Sequence, residues 1–222
     1  MSSNKYPDLS SAERNALIAL LGSALFSLIC EIEELDRTWL LAPEPGTPLF
    51  GRDSEAEPFR GWSIPRVEAM YLYSLVRSHR PPSVLEIGTS FGYSTLWLAA
   101  ALEASGGHVY TCEALPEKLV AARSFIDRAN VNNVTIYESE ALDLCRSWIR
   151  PLGLVFLDAD VEAYPEYFRL LRRHLTSDGL LVIDNAIDRR ERLAPFFDYV
   201  TDSGLSGWTV PIGHGVFHVP LR

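Results

Sequence analysis

Lysine is nearly missing from this chain. It occurs only at Lys5 and Lys118, so arginine supplies almost all of the positive charge, a bias that reads as the trace of a GC-rich genome. Positive charge as a whole is in deficit: 20 lysines and arginines face 29 acids, for a formal net charge of -9. That balance argues against nucleic acid and anionic membrane as partners, because both are drawn to basic surfaces. Cysteine is sparse too. Cys30, Cys112 and Cys145 lie far apart without metal-site spacing and suit a reducing, cytoplasmic setting. No apolar run reaches the roughly 20 residues of a membrane-spanning helix. The longest, residues 16–30 (ALIALLGSALFSLIC), follows Asp8 and Glu13 as well as Lys5 and Arg14, so the net positive flank of a secretion signal is missing. There is no internal repeat and no low-complexity segment.

What the chain does have is an ordinary globular composition. With 222 residues, 47% hydrophobic and 22% charged, it suits one domain with an appendage and can bury a full core. Ser10 with Glu13 forms a capping box, and Glu31, Glu33 and Glu34 continue in solvated style, so the pattern predicts one long helix over residues 11–41. Its apolar face is expected to be buried on the body of the protein or on a second subunit. Pro43, Pro45, Gly46 and Pro48 end it, and the polar stretch through Phe59 reads as a long loop. Ser63 is placed to cap the next helix, with Pro65 in its first turn and Val67, Tyr71 and Leu75 on one face. The chain thus divides into a helical extension and loop, residues 1–62, and a main domain, residues 63–222.

From Val84 onward the chain alternates. Short apolar runs at 84–87, 108–112, 134–137, 154–157 and 180–183 are separated by helical stretches, notably 94–103, 116–129, 163–175 and 190–203. Such alternation is the signature of an α/β fold, a Rossmann-like doubly wound parallel sheet. The end differs. Residues 208–212 and 216–220 flank Gly213-His214-Gly215, a tight hairpin that turns the last strand antiparallel to its neighbour.

The first strand runs directly into Glu86-Ile-Gly88-Thr-Ser90-Phe-Gly92-Tyr-Ser94 and then a helix. Glycines there let backbone approach a ligand where a Cβ would collide. Such ligands bind beyond the carboxyl ends of the strands. The second strand ends in Glu113, about 20 residues after the turn, the separation at which an acid meets ribose hydroxyls. The spacing lacks the full G-x-G-x-x-G that seats a pyrophosphate, and the Glu86 carboxylate suits a cationic amino group and repels a diphosphate. Both features favour a methyl donor over a nicotinamide dinucleotide.

Two further strand ends carry acids: 154–157 runs into Asp158-Ala-Asp160, and 180–183 into Asp184-Asn185. In a parallel sheet these tips share one rim, so Asp158, Asp184 and Asn185 can converge beside the glycine turn. Hard oxygen donors of this kind suit Mg²⁺ or Ca²⁺ better than Zn²⁺. Taken one at a time, the same residues could equally cap the turns that follow them.

These pieces together resemble the cation-dependent O-methyltransferases of the caffeoyl-CoA and catechol type, within the class I methyltransferases. The matching stretches are Leu85-Glu-Ile-Gly-Thr-Ser-Phe-Gly-Tyr-Ser94, Tyr110-Thr-Cys-Glu113, Phe156-Leu-Asp-Ala-Asp160 and Val182-Ile-Asp-Asn185, in the family's order and spacing. The resemblance implies an S-adenosylmethionine-dependent enzyme with a seven-stranded sheet whose last strand is antiparallel. It places Gly88, Ser90 and Ser94 at the methionine end of the cofactor, Glu113 on the ribose, and Ser139 and Ala141 beside the adenine. It makes Asp158, Asp184 and Asn185 a triad for a divalent cation. It also implies a small-molecule acceptor, with a hydroxyl to methylate, and a homodimer.

One position departs from the family. Where the plant and animal enzymes carry a proton-accepting lysine, three residues after the first metal aspartate, this chain has Val161. A coordinated hydroxyl is acidified by a dication and can dispense with a base. Otherwise His214 or Asp160 are the candidates, alongside the reading of His214 as a plain turn residue. Three alternatives therefore stay open: a metal-assisted O-methyltransferase, a metal-independent enzyme acting on oxygen or nitrogen, and a cofactor-binding homologue without catalysis. Trp62, Tyr164 and Trp208 are the aromatic residues available to wall a flat substrate.

Overall fold

A computed structural model describes residues 5–38 and 62–221. Seven strands form one sheet: β1 (Ser83–Ile87), β2 (His108–Glu113), β3 (Val134–Glu138), β4 (Leu152–Leu157), β5 (Leu175–Ile183), β6 (Trp208–Val210) and β7 (Val216–Pro220). Their order is β3-β2-β1-β4-β5-β7-β6. The first five are parallel, and β7 is antiparallel to both β5 and β6. The chain winds outward from β1 in both directions, so the switch in winding falls between β1 and β4.

Alternation along the central strands feeds two cores. Val84, Leu154, Phe156, Leu180 and Val182 face one apolar layer, and Leu85, Ile87, Val155, Leu157, Leu181 and Ile183 face the other. The first layer is closed by α3 (Arg66–His79), α4 (Tyr93–Glu103) and α5 (Pro116–Ala129), the second by α6 (Ala141–Ser147), α7 (Tyr164–Leu171) and α8 (Ala194–Asp202). Strands buried on both faces are predominantly apolar, even with Glu86 in β1 and Thr111 in β2, which is why they stand out in the sequence.

The expected single helix over residues 11–41 is two helices, α1 (Ser11–Leu21) and α2 (Ser23–Thr38), bent by 118°. Gly22 makes the break at φ 81°, a left-handed conformation that favours glycine; its N–H closes α1 on the Ile18 carbonyl and its own carbonyl accepts from Phe26. The Ser10–Glu13 capping box is present as expected. Residues 39–41 and the expected loop through Phe59 lie outside the described residues. The bend folds Leu17, Phe26, Ile29 and Ile32 into the first core layer. Among the described residues no single helix is long and apolar enough to cross a membrane.

Other expectations shift in detail. Ser63 does not cap α3: Pro65 occupies that position, and no side chain bonds the helix start. Val67 is exposed, and the buried face of α3 runs through Glu68, Ala69, Leu72, Tyr73 and Val76. The stretch 163–175 is a 3₁₀ turn, α7 and a second 3₁₀ turn, after which Leu175 already begins β5. Residues 190–193 are turn, and α8 begins only at Ala194.

Candidate active site

Strand register assembles the site. Ile87 pairs with Cys112 on one side and Leu157 on the other, and Leu157 pairs with Ile183. One residue further on, Glu113, Gly88, Asp158 and Asp184 therefore stand along one rim. Ladder bonds continue to this level: Gly88 N–H to the Cys112 carbonyl at 3.2 Å, Asp158 N–H to Ile87 at 3.0 Å and Asp184 N–H to Leu157 at 3.0 Å.

Gly88 adopts φ 106°, and a Cβ added there would lie 2.0 Å from the Asp158 carbonyl oxygen, so only glycine lets β1 turn beside β4. Ser90 and Gly92 also hold positive φ, at 48° and 84°, and Gly92 is the residue before α4. Ser94 is buried in the first turn of that helix. Glu113 is held by three backbone donors: Ser90 N–H at 2.8 Å, and Ala114 and Leu115 N–H each at 3.0 Å. Ser139 follows through its N–H to the Glu113 carbonyl at 3.2 Å, and Ala141 opens α6.

Glu86 lies beneath the turn, fully buried. Its Oε2 accepts from Thr95 and, at 2.7 Å, from Thr111, while its Oε1 has no hydrogen-bond partner. An orphaned buried carboxylate oxygen below a glycine turn fits a ligand bearing a cationic amine.

At the other end of the rim, Asn185 takes φ 66° and its amide donates to Asp184 Oδ2 at 2.8 Å. The hairpin between β6 and β7 folds over this point: the His214 carbonyl accepts from Ile187 N–H at 3.0 Å, and Ala186 N–H bonds the Gly215 carbonyl at 2.9 Å. His214 Nδ1 thereby comes to 3.4 Å from Asp184 Oδ2. The first turn of α3 adds Glu68, whose Oε2 accepts the His214 backbone N–H at 3.1 Å and whose buried Oε1 has no partner. Glu68, Asp184 and His214 each offer one donor atom, all within 4.8 Å of one another.

The cluster crowds carboxyl groups together. Burial, and then Asp184, push the Glu68 carboxyl up to about 11. Burial, and then Asp184 and Glu86, push Asp158 well above the usual carboxylate range, while the Lys5 and Lys118 ammonium groups pull it down. Both lysines of the chain thus act on this rim. Lys5 Nζ donates to the Ser63 carbonyl at 2.9 Å, and buried Lys118 sits 4.8 Å from the Trp62 ring centroid. With carboxylate oxygens and an imidazole nitrogen brought together, the cluster is a donor set that fits a divalent cation.

Not every candidate reaches the rim. Val161 is buried in the second core layer. Tyr164 is fully buried and braces the Asp158 loop, donating to the Leu157 carbonyl at 3.1 Å and accepting from Ala159 N–H at 3.2 Å, so it walls no substrate. Asp160 is exposed. Trp62 and Trp208 remain open to solvent, the latter stacked on His218 at 5.3 Å. Glu68 was not singled out from the sequence, because an acid in the first turn of a helix is what the helix dipole favours anyway.

A sheet wound in this order, with a glycine turn after β1 and an acid closing β2, is the frame of a class I methyltransferase. The O-methyltransferase family model matches residues 52–194. A catechol O-methyltransferase of Niastella koreensis is 33% identical over 154 residues, 67% of this chain and 69% of the relative. A catechol O-methyltransferase of Mycobacterium tuberculosis is 32% identical over 155 residues, 69% of this chain and 70% of the relative. Among solved structures, an SAH-bound methyltransferase from Podospora anserina superposes with a TM-score of 0.73 at 18% identity, over 97% of this chain and 98% of that one. An O-methyltransferase from Bacillus cereus in complex with SAH gives 0.69 at 24% identity, over 88% and 91%. The chain belongs to the O-methyltransferase family, S-adenosylmethionine-dependent enzymes of class I.

Proposed function

We propose that this enzyme methylates a hydroxyl of a small aromatic acceptor, a vicinal diol above all, with a divalent cation held by Asp158, Asp184 and Asn185. The observation that carries this reading is the register that sets Asp158 and Asp184 side by side on the rim that also bears Gly88 and Glu113. Relatives named as catechol and caffeoyl-CoA O-methyltransferases support the acceptor class. The net charge of -9 supports a small molecule, not nucleic acid or membrane, as partner.

S-adenosylmethionine supplies the methyl group from a sulfonium, whose positive charge is lost as the new bond forms. On this reading Gly88, Ser90, Gly92 and Ser94 cradle the methionine end, with Glu86 beneath it, and Glu113 takes the ribose. Ser139 and Ala141 flank the adenine. The protein's main task is alignment: strand tips fixed by ladder bonds hold donor and acceptor sites in one geometry, converting a bimolecular encounter into a positioned one. A dication in this set would supply acidification of a bound hydroxyl.

A second reading, metal-independent transfer, has its own observation: Val161 is sealed in the core where the resemblance expects a lysine, so that residue moves no proton. Calorimetry with S-adenosylhomocysteine, with and without Mg²⁺, separates the two. The first reading expects a distinct Mg²⁺ site that Asp158→Ala abolishes while cofactor binding persists, and a catechol turnover that excess chelator stops. Full turnover in chelator would select the second.

A further inference from the structure

We infer that His214 and Glu68 are metal ligands beside Asp184, and that this rim selects a nitrogen-accepting transition-metal dication over Mg²⁺ and Ca²⁺. The inference rests on the reading above that the rim holds a cation. Three observations carry it. Glu68 Oε1 is buried without a hydrogen-bond partner, next to the donor atoms of Asp184 and His214. Two buried carboxyl groups in contact, Glu68 and Asp184, must either share a proton or be met by a cation, and the imidazole beside them supplies a donor that a proton-sharing pair does not need.

The second observation is a distance. His214 Nδ1 and Asp184 Oδ2 are 3.4 Å apart, longer than a good N–H···O bond. Two donors each about 2.0–2.2 Å from one ion, at a tetrahedral angle, are separated by about 3.4 Å. The third is how the imidazole is held. Gly213 and Gly215 flank His214 at φ 58° and 92°, and a Cβ added at Gly213 would lie 2.2 Å from Glu68 Oε2. The hairpin is therefore packed down onto Glu68, and its backbone N–H at residue 214 fixes the other Glu68 oxygen at 3.1 Å. Imidazole with carboxylates is a donor set for zinc, cobalt or iron, whereas all-oxygen sets suit magnesium and calcium.

The test is titration of the full chain, saturated with S-adenosylhomocysteine, with Co²⁺ and separately with Mg²⁺, read by calorimetry and by the visible absorption of bound Co²⁺. His214→Ala keeps the backbone N–H that Glu68 accepts, so the hairpin is expected to stay folded, which circular dichroism checks. His214→Asn is the substitute if it does not. Either variant is expected to weaken Co²⁺ binding by about tenfold or more and to change the Co²⁺ spectrum, with Mg²⁺ affinity changed far less. Glu68→Gln is expected to weaken Co²⁺ binding independently. Unchanged Co²⁺ affinity and spectrum in the His214 variants overturn the inference. If Mg²⁺ still binds there and is lost in Asp158→Ala, the functional reading survives that failure. If Co²⁺ depends on His214 while Mg²⁺ does not bind, the inference stands and the Mg²⁺ assignment falls. A wild-type protein that binds neither ion overturns both.

Discussion

Val161 and Gly88 show how much a single side chain decides here. Val161 is packed with the residues of the second core layer, so restoring the family lysine would force an ammonium into apolar surroundings. Burying such a group costs several kcal/mol, and each kcal/mol moves a chain of this size by about 2–4 °C. Val161→Lys is expected to lower the melting temperature by at least about 5 °C in scanning calorimetry. An unchanged melting temperature would mean the side chain escapes to the rim. Gly88→Ala meets the Asp158 carbonyl and a forbidden φ together, and is expected to abolish S-adenosylhomocysteine binding in a calorimetric titration. The sequence made both positions legible, one by its departure from a pattern and the other by its place in a turn. Glu68 was not legible, because its role depends on a hairpin about 146 residues further along the chain meeting the first turn of α3.

The elements divide along similar lines. Central strands announced themselves as short continuous apolar runs bounded by turn residues, the pattern of strands buried on both faces. The seven-residue α6 escaped notice, being too short to show a helical period. The bend at Gly22 was missed because an isolated glycine inside an apolar helical pattern is often tolerated. Yet that bend lets α2 present Glu33 to α3 and α4. Arg66 Nε donates to Glu33 Oε1 at 2.8 Å, Tyr93 Oη donates to the same atom at 2.7 Å, and Arg66 Nη1 reaches the Pro7 carbonyl at 2.7 Å. Tyr93 directly follows Gly92, so the extension is tied to the glycine turn after β1. Removing one partner of a buried ion pair strands the other, at about 3–5 kcal/mol. Arg66→Met is expected to lower the melting temperature by roughly 6–20 °C. Glu33→Gln with Arg66→Met, which removes both charges of the pair, should recover part of that loss.

At the scale of the whole molecule, fold and ligand are expected to be linked. The groups proposed to hold the cofactor sit at strand tips, in the turns that follow or in the first turns of α4 and α6, so binding is expected to stabilise the fold as a unit. At a hundredfold excess over its dissociation constant, S-adenosylhomocysteine contributes about 2.7 kcal/mol, or roughly 5–11 °C of melting temperature. A thermal shift of that size, reduced in Gly88→Ala, would show the coupling; no shift at saturation would sever it. The scarcity of lysine bears on how any of this is measured. Beyond the α-amino group, amine-reactive reagents meet only Lys118, which is 5% exposed, and Lys5, whose side chain is 31% exposed and whose charge acts on Asp158. Coupling the protein to a sensor surface or a dye through its lysines would therefore foul the rim that the sensor is meant to report, and a tag following β7, whose Pro220 pairs with Leu180 back along β5 and away from Asp184, is the geometry that leaves the site open.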